Sequence, residues 1–86
     1  MRIKLEKIIN HYGYNYQRNK LTEECAELIR AISIGDDRNM LEEMADVSVL
    51  IDEITYHFPL VREEFEKIRL FKVNRTIERF ENVRSN

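Results

Sequence analysis

Residues Lys20 to Ile54 read KLTEECAELIRAISIGDDRNMLEEMADVSVLIDEI, and this stretch decides the fold. Leu21, Cys25, Leu28, Ile29 and Ile32 recur at helical spacing and make one apolar stripe. Gly35 suits the position just past a helix end, where the backbone turns left-handed. Asp36 and Asp37 are expected in the turn. Asn39 and Glu42 have the form of a capping box that opens a second helix. Met40, Met44, Val47, Ile51, Ile54 and Phe58 form its main stripe. Ala45, Val49, Leu50 and Tyr56 fall on other sides. A helix apolar around so much of its circumference is expected to pack on more than one side, and in so short a chain the second partner is expected to be another subunit.

The chain extends outward from this pair in both directions. Leu5, Ile8, Ile9 and Tyr12 predict a short helix over about 3–12, broken at Gly13. The second helix is expected over about 17–34 and the third over about 39–57. Tyr14 to Tyr16 read as a loop or a helix start. Pro59 ends the third helix and suits the start of a fourth, over about 60–80. Residues 82–86 are expected to fray. On the fourth helix, Val61, Phe65 and Ile68 share a face that Lys72, Arg75 and Arg79 continue. Leu70, Val73, Ile77 and Phe80 form a second stripe on roughly the opposite side. The 86 residues hold two Gly and one Pro, too little turn chemistry for a β-protein, so the expectation is one all-α domain.

Bulk properties exclude several classes. A net charge of −2 argues against a nucleic-acid partner held by electrostatics alone. One cysteine excludes an internal disulfide. No apolar run approaches the roughly 18 residues of a spanning helix, so no membrane partner is expected. The start, MRIKLEKIINHYGY, interleaves charges with apolar residues and lacks a signal-peptide core. A cytoplasmic protein is the default expectation.

The chemistry lies in the acids. Glu24 and Glu27 on the second helix, and Glu43 and Asp46 on the third, are pairs three residues apart. Each pair shares one side of its helix and flanks the apolar stripe. Antiparallel packing would bring four carboxylates together at the edge of the helix contact. Their mutual repulsion would raise some pKa values unless a cation sat between them. Hard oxygen donors suit Mg²⁺, with Mn²⁺ as a substitute, and Mg²⁺ sites commonly also hold phosphates. Glu23 and Glu53 point farther out and are expected to face solvent more. Either acidic pair alone is an ordinary solvated helix face; the two together on adjacent helices carry the reading. Lys72, Arg75 and Arg79 are candidates to bind phosphates, or else a solvated face that pairs with Glu66 or Glu78. Tyr14 and Tyr16 are candidates for contact with a base, packing over the helix pair being the plainer role. His57 suits a helix end better than a ligand position.

The run K-L-x-E-E-x-x-E-L, then L-E-E-x-A-D-V, resembles the signature of the MazG-like all-α nucleoside triphosphate pyrophosphohydrolases. Here Glu23, Glu24 and Glu27 precede Glu43 and Asp46 by a gap of 15 residues. Lys72, Asn74 and Arg75 look like the basic segment such enzymes present to phosphates. The resemblance implies a four-helix-bundle-like fold completed by homo-oligomerisation, as a dimer or tetramer. It implies Mg²⁺-dependent hydrolysis of an NTP or dNTP to the monophosphate and pyrophosphate, by metal-activated water attack at the α-phosphorus. Glu24, Glu27, Glu43 and Asp46 would be the metal ligands. Glu23 would act with Glu24 in catalysis, supporting the site or orienting water. Lys72 and Arg75, with Arg79 beyond them, would contact phosphates. Two alternatives stay open: a phosphoribosyl-ATP pyrophosphohydrolase, which shares the acidic elements, and a non-enzymatic helical oligomerisation module.

Overall fold

Two glycines and one proline divide the chain into four helices. A computed structural model describes the backbone of residues 1–85 and the side chains of residues 1–82. The helices are α1 (Arg2–Tyr12), α2 (Tyr14–Ile34), α3 (Asp37–His57) and α4 (Pro59–Ser85), and the described residues hold no strand. The fold is all-α, as the composition implies. The fraying expected near the C-terminus falls in part on Asn86, which lies outside the described residues; helix α4 itself runs to Ser85.

Three junctions set the path. Gly13 takes φ 96° and ψ 149°, a region open in practice only to glycine, so α2 begins at once at Tyr14. Tyr14–Tyr16 is therefore the first turn of a helix and not a loop. Gly35 takes φ 74° and ψ 25°. Its N–H donates to Ile32 O, and the Asp36 N–H donates to Ala31 O, the paired bonds of a Schellman cap. At the third junction Pro59 pushes Phe58 into extended backbone, φ −121° and ψ 112°, and occupies the first position of α4, where no N–H is needed.

The start of α3 differs from the sequence reading. Asp36, not Asn39, is the cap: its Oδ1 accepts from the Asn39 N–H at 3.1 Å. The Asn39–Glu42 pattern has the right residues, but an earlier acceptor stands three residues upstream, and Asp37 adds negative charge to the first turn, where the helix dipole favours it.

Helix α3 is the centre of the molecule. Helices α1, α2 and α4 all pack on it, and α4 packs on nothing else among the described residues. That accounts for part of its broad apolar circumference; Leu41, Met44 and Val49 of the same helix stay exposed. Leu5 and Ile9 of α1, Ala31 of α2 and Leu50 of α3 are buried, and Ile9 is the one large side chain fully enclosed among the described residues.

The face of α2 turned inward is not the expected one. Gln17, Glu24 and Ala31, seven residues apart, are its buried positions, while Ile29 and Ile32 are exposed. On α3 the buried positions are Leu50, Glu53 and Thr55. Glu53, expected to face solvent, is only 2% exposed and accepts a 2.7 Å hydrogen bond from Gln17 Nε2. A satisfied amide–carboxylate bond offsets what burying that acid would otherwise cost.

The elbow between α3 and α4 is held by Arg62. Its Nη1 donates to Asp52 Oδ1 and Thr55 Oγ1, both at 2.9 Å, and its Nη2 pairs with Glu66 at 2.6 Å. The guanidinium also lies over the Tyr56 ring, 4.1 Å from its centre. Beyond this elbow α4 runs on for more than four turns with Leu70, Phe71, Val73 and Phe80 exposed.

Candidate metal centre

The antiparallel contact of α2 and α3 brings three of the four expected acids together. Carboxylate oxygens of Glu24, Glu27 and Glu43 all lie within 4.8 Å of one another. They get there by register. Glu24 continues the inward line from Gln17 to Ala31, and Glu43 lies seven residues before buried Leu50 on the same line of α3. Ala31, with its small side chain, lets the helices approach near the acids.

The cluster sits deeper than the sequence reading placed it. Glu24 is 8% exposed, in the seam between the helices and not at its edge; Glu43 is half-buried and Glu27 exposed. Asp46 does not join them. It is exposed and lies outside the group of three.

The electrostatics show an uncompensated charge conflict. Glu24 Oε2 and Glu43 Oε2 are both buried with no hydrogen-bond partner. Glu43 is pushed up from the ordinary 4.5 to about 7: first by hydrogen bonding with Glu24, which requires a proton on one of them, then by loss of water, then by Glu27. Partnerless buried acid oxygens from facing helices are what a hard divalent cation satisfies, so the donors present fit Mg²⁺ or Mn²⁺. Lys20 offsets a little of the charge from the rim. Its Nζ lies 3.6 Å from Glu24 Oε1 and 3.4 Å from Glu23 Oε2, and the bond to Glu23 chiefly raises its pKa.

This conflict has a pH signature in the metal-free chain. The folded state holds the Glu43 proton up to about pH 7, and the unfolded state releases it near 4.5. Glu43 therefore favours the fold most below about 4.5, and that contribution is lost as pH rises through about 7. In EDTA the melting temperature should carry a component that falls between about pH 5 and 7.5 and then flattens. With Mg²⁺ the gap between loaded and metal-free melts should widen over the same range. A gap independent of pH would show that Glu43 is not in the metal's reach.

The remaining candidates lie elsewhere. Glu23 is exposed and paired with Lys20. Tyr14 stacks on His57 at 5.5 Å and meets Phe58 edge-on, closing the base of the bundle; Tyr16 stacks on Tyr12 at 5.4 Å and stays exposed. Lys72 lines an open apolar groove on α4 with Phe65, Ile68, Arg69 and Ile77. Arg75 lies near the Phe71 ring, 5.6 Å to its centre, with Nε buried and unpartnered. Glu66 is taken by Arg62 and so is not the partner of this cationic face. Helix α4 packs along α3, and its Phe65 and Arg69 line a groove with Leu28, Met44 and Val47, next to the acids in sequence.

Gln17, Lys20, Glu53 and Arg62 escaped the sequence reading as structural participants. The seven-residue spacing of Gln17, Glu24 and Ala31 was a signal for the first. Lys20, four residues before Glu24, was another. Nothing in the periodicity pointed to Arg62.

Acidic helices packed antiparallel, with partnerless carboxylate oxygens in the seam, make an all-α protein whose clustered acids have the donor chemistry for a cation. Residues 14–80 match the family model of the MazG nucleotide pyrophosphohydrolase domain, and the chain belongs to that family. Its members are generally dependent on a divalent metal. Searches of curated proteins and of solved structures give no match. No helix of the described residues is long and apolar enough to cross a membrane.

Proposed function

We propose that the protein is a Mg²⁺-dependent nucleoside triphosphate pyrophosphohydrolase of the cytoplasm, converting an NTP or dNTP and water to the monophosphate and pyrophosphate. The observation that carries this reading is the meeting of Glu24, Glu27 and Glu43 within 4.8 Å, in a chain of the MazG family. These three acids, with Asp46 as a fourth that would have to swing in from the next turn of α3, are the proposed ligands of Mg²⁺, with Mn²⁺ able to replace it.

When bound, the cation supplies positive charge to the phosphate oxygens and makes a nearby water more acidic. The chain's own residues do the rest. Glu24, fixed in the seam, holds the centre rigid. Glu23, at the rim beside Lys20, orients the attacking water and accepts its proton. The water oxygen bonds to the α-phosphorus, the bond from that phosphorus to the bridging oxygen breaks, and pyrophosphate leaves. Lys72, Arg75 and Arg79 steady the leaving phosphates. In this reading those cations come from a second copy of the chain. Tyr16, and Tyr14 if its stack on His57 opens, offer faces to the base.

Product analysis with each NTP and dNTP, and with phosphoribosyl-ATP, tests the reading. Pyrophosphate should form with at least one nucleoside triphosphate, only with Mg²⁺ or Mn²⁺ present. Cleavage of phosphoribosyl-ATP alone would move the assignment to that substrate. No cleavage of any, with no effect of Mg²⁺ on melting, would make the chain an oligomerisation module.

A further inference from the structure

We propose that the buried Gln17–Glu53 hydrogen bond is a register pin: it selects which face of α2 lies against α3, and so places Glu24 and Glu27 opposite Glu43. This rests on the reading of those acids as a divalent-cation site. Gln17 and Glu53 are then positioning residues, acting through helix packing on groups they do not touch.

Apolar burial alone would choose another face. Leu21, Cys25, Leu28 and Ile32 form a continuous apolar stripe roughly a fifth of a turn from the direction of Glu24. In the chain none of these four is fully buried and Ile32 is exposed, while Gln17 and Glu24 are 5% and 8% exposed. Two polar residues sit where apolar ones were on offer. Rolling α2 to bury its stripe would strand Glu53 without a donor and carry Glu24 away from Glu43.

The Gln17–Glu53 bond is placed to prevent that. It is a direct side-chain hydrogen bond between α2 and α3 away from the acid cluster, short at 2.7 Å and buried. The spacing carries its effect to the acids. On α2, Glu24 follows Gln17 by seven residues, two turns along the same line. On α3, Glu43, Leu50 and Glu53 follow one another by seven and three residues, the spacing of a helix seam. Fixing the pair at one point of an antiparallel seam fixes the level and rotation two to three turns away. A single buried polar position is known to set register in helix pairs at some cost in stability.

The test measures Mn²⁺ affinity and melting of the full chain in four forms. Gln17→Leu with Glu53→Leu replaces the pair by apolar side chains. Such swaps are often neutral or stabilising, so the metal-free melt should hold or rise. Mn²⁺ affinity should fall by roughly tenfold or more, as it does when groups that orient ligands are lost. Gln17→Glu alone sets two carboxylates face to face and should also weaken Mn²⁺. Adding Glu53→Gln to it reverses the bond, with donor and acceptor exchanged, and should restore affinity to within about threefold of the natural chain. Unchanged affinity in the double-Leu form overturns the inference, as does loss of its fold, which would make the pair a stability element. A natural chain that binds no Mn²⁺ overturns the reading of the metal centre itself, and this inference with it.

Discussion

Glu43→Gln should reduce pyrophosphate release by roughly a hundredfold or more and yet raise the melting temperature of the metal-free protein at pH 8. The two effects have one cause. At that pH Glu43, with its pKa near 7, is mostly ionised beside Glu24 and Glu27. The Gln amide keeps the shape, removes the charge, and offers an N–H donor where the protonated acid offers an O–H. The buried Glu24 Oε2, partnerless in the natural chain, then gains a donor within reach. The same change removes a hard anionic oxygen from the proposed ligand set. Mg²⁺ should therefore no longer shift the melt. Turnover within about twofold of the natural chain, or a metal-free melt that falls, would sink the assignment of Glu43. A stabilising change that destroys activity is the expected mark of a site whose strain is relieved only by its ligand.

The same three acids show how far the sequence could be read. Spacing placed Glu24 with Glu27, and Glu43 with Asp46, on one side of each helix, and antiparallel packing followed from the short Gly35 turn. Depth was not legible. An apolar stripe is the usual guide to the buried face, and on α2 it points about a fifth of a turn away from the face in fact buried. Glu53 reads as solvated until its bond with Gln17 is seen, because satisfaction of a buried polar group depends on a partner 36 residues away. The capping error at Asn39 is of the local kind: two acceptors compete, and the turn geometry after Gly35 favours Asp36. Asp46 shows the reverse limit. Its spacing from Glu43 is right, but being one turn from a clustered acid does not bring its oxygens into the cluster.

Leu70→Glu combined with Val73→Lys should disperse the protein into monomers and abolish activity, although neither side chain belongs to the core of the single chain. They are 63% and 51% exposed, on a stretch of α4 that no other helix covers apart from its packing on α3. If the chain worked alone, this pair would be close to neutral. Both replacements are good helix formers, and Glu three residues before Lys adds a small favourable contact of about 0.2–0.5 kcal/mol. Surface changes of that kind fall within about ±0.5 kcal/mol. The expected loss arises only if a second copy covers the face. The single chain itself argues for that cover. Leu70, Phe71, Val73 and Phe80 lie exposed together on one long helix, and among the described residues only Leu5, Ile9, Ala31 and Leu50 form a buried apolar core. A second copy would also carry Lys72, Arg75 and Arg79, the cations proposed to face the acids. Sedimentation should show a dimer or tetramer for the natural chain and a monomer of lower melting temperature for the variant, with pyrophosphate release lost in step with assembly. A natural chain that sediments as a monomer at micromolar concentration while cleaving nucleotide would overturn the shared site, and the phosphate contacts would then have to come from the rim of α2 and α3, where Lys20 is the nearest cation in view.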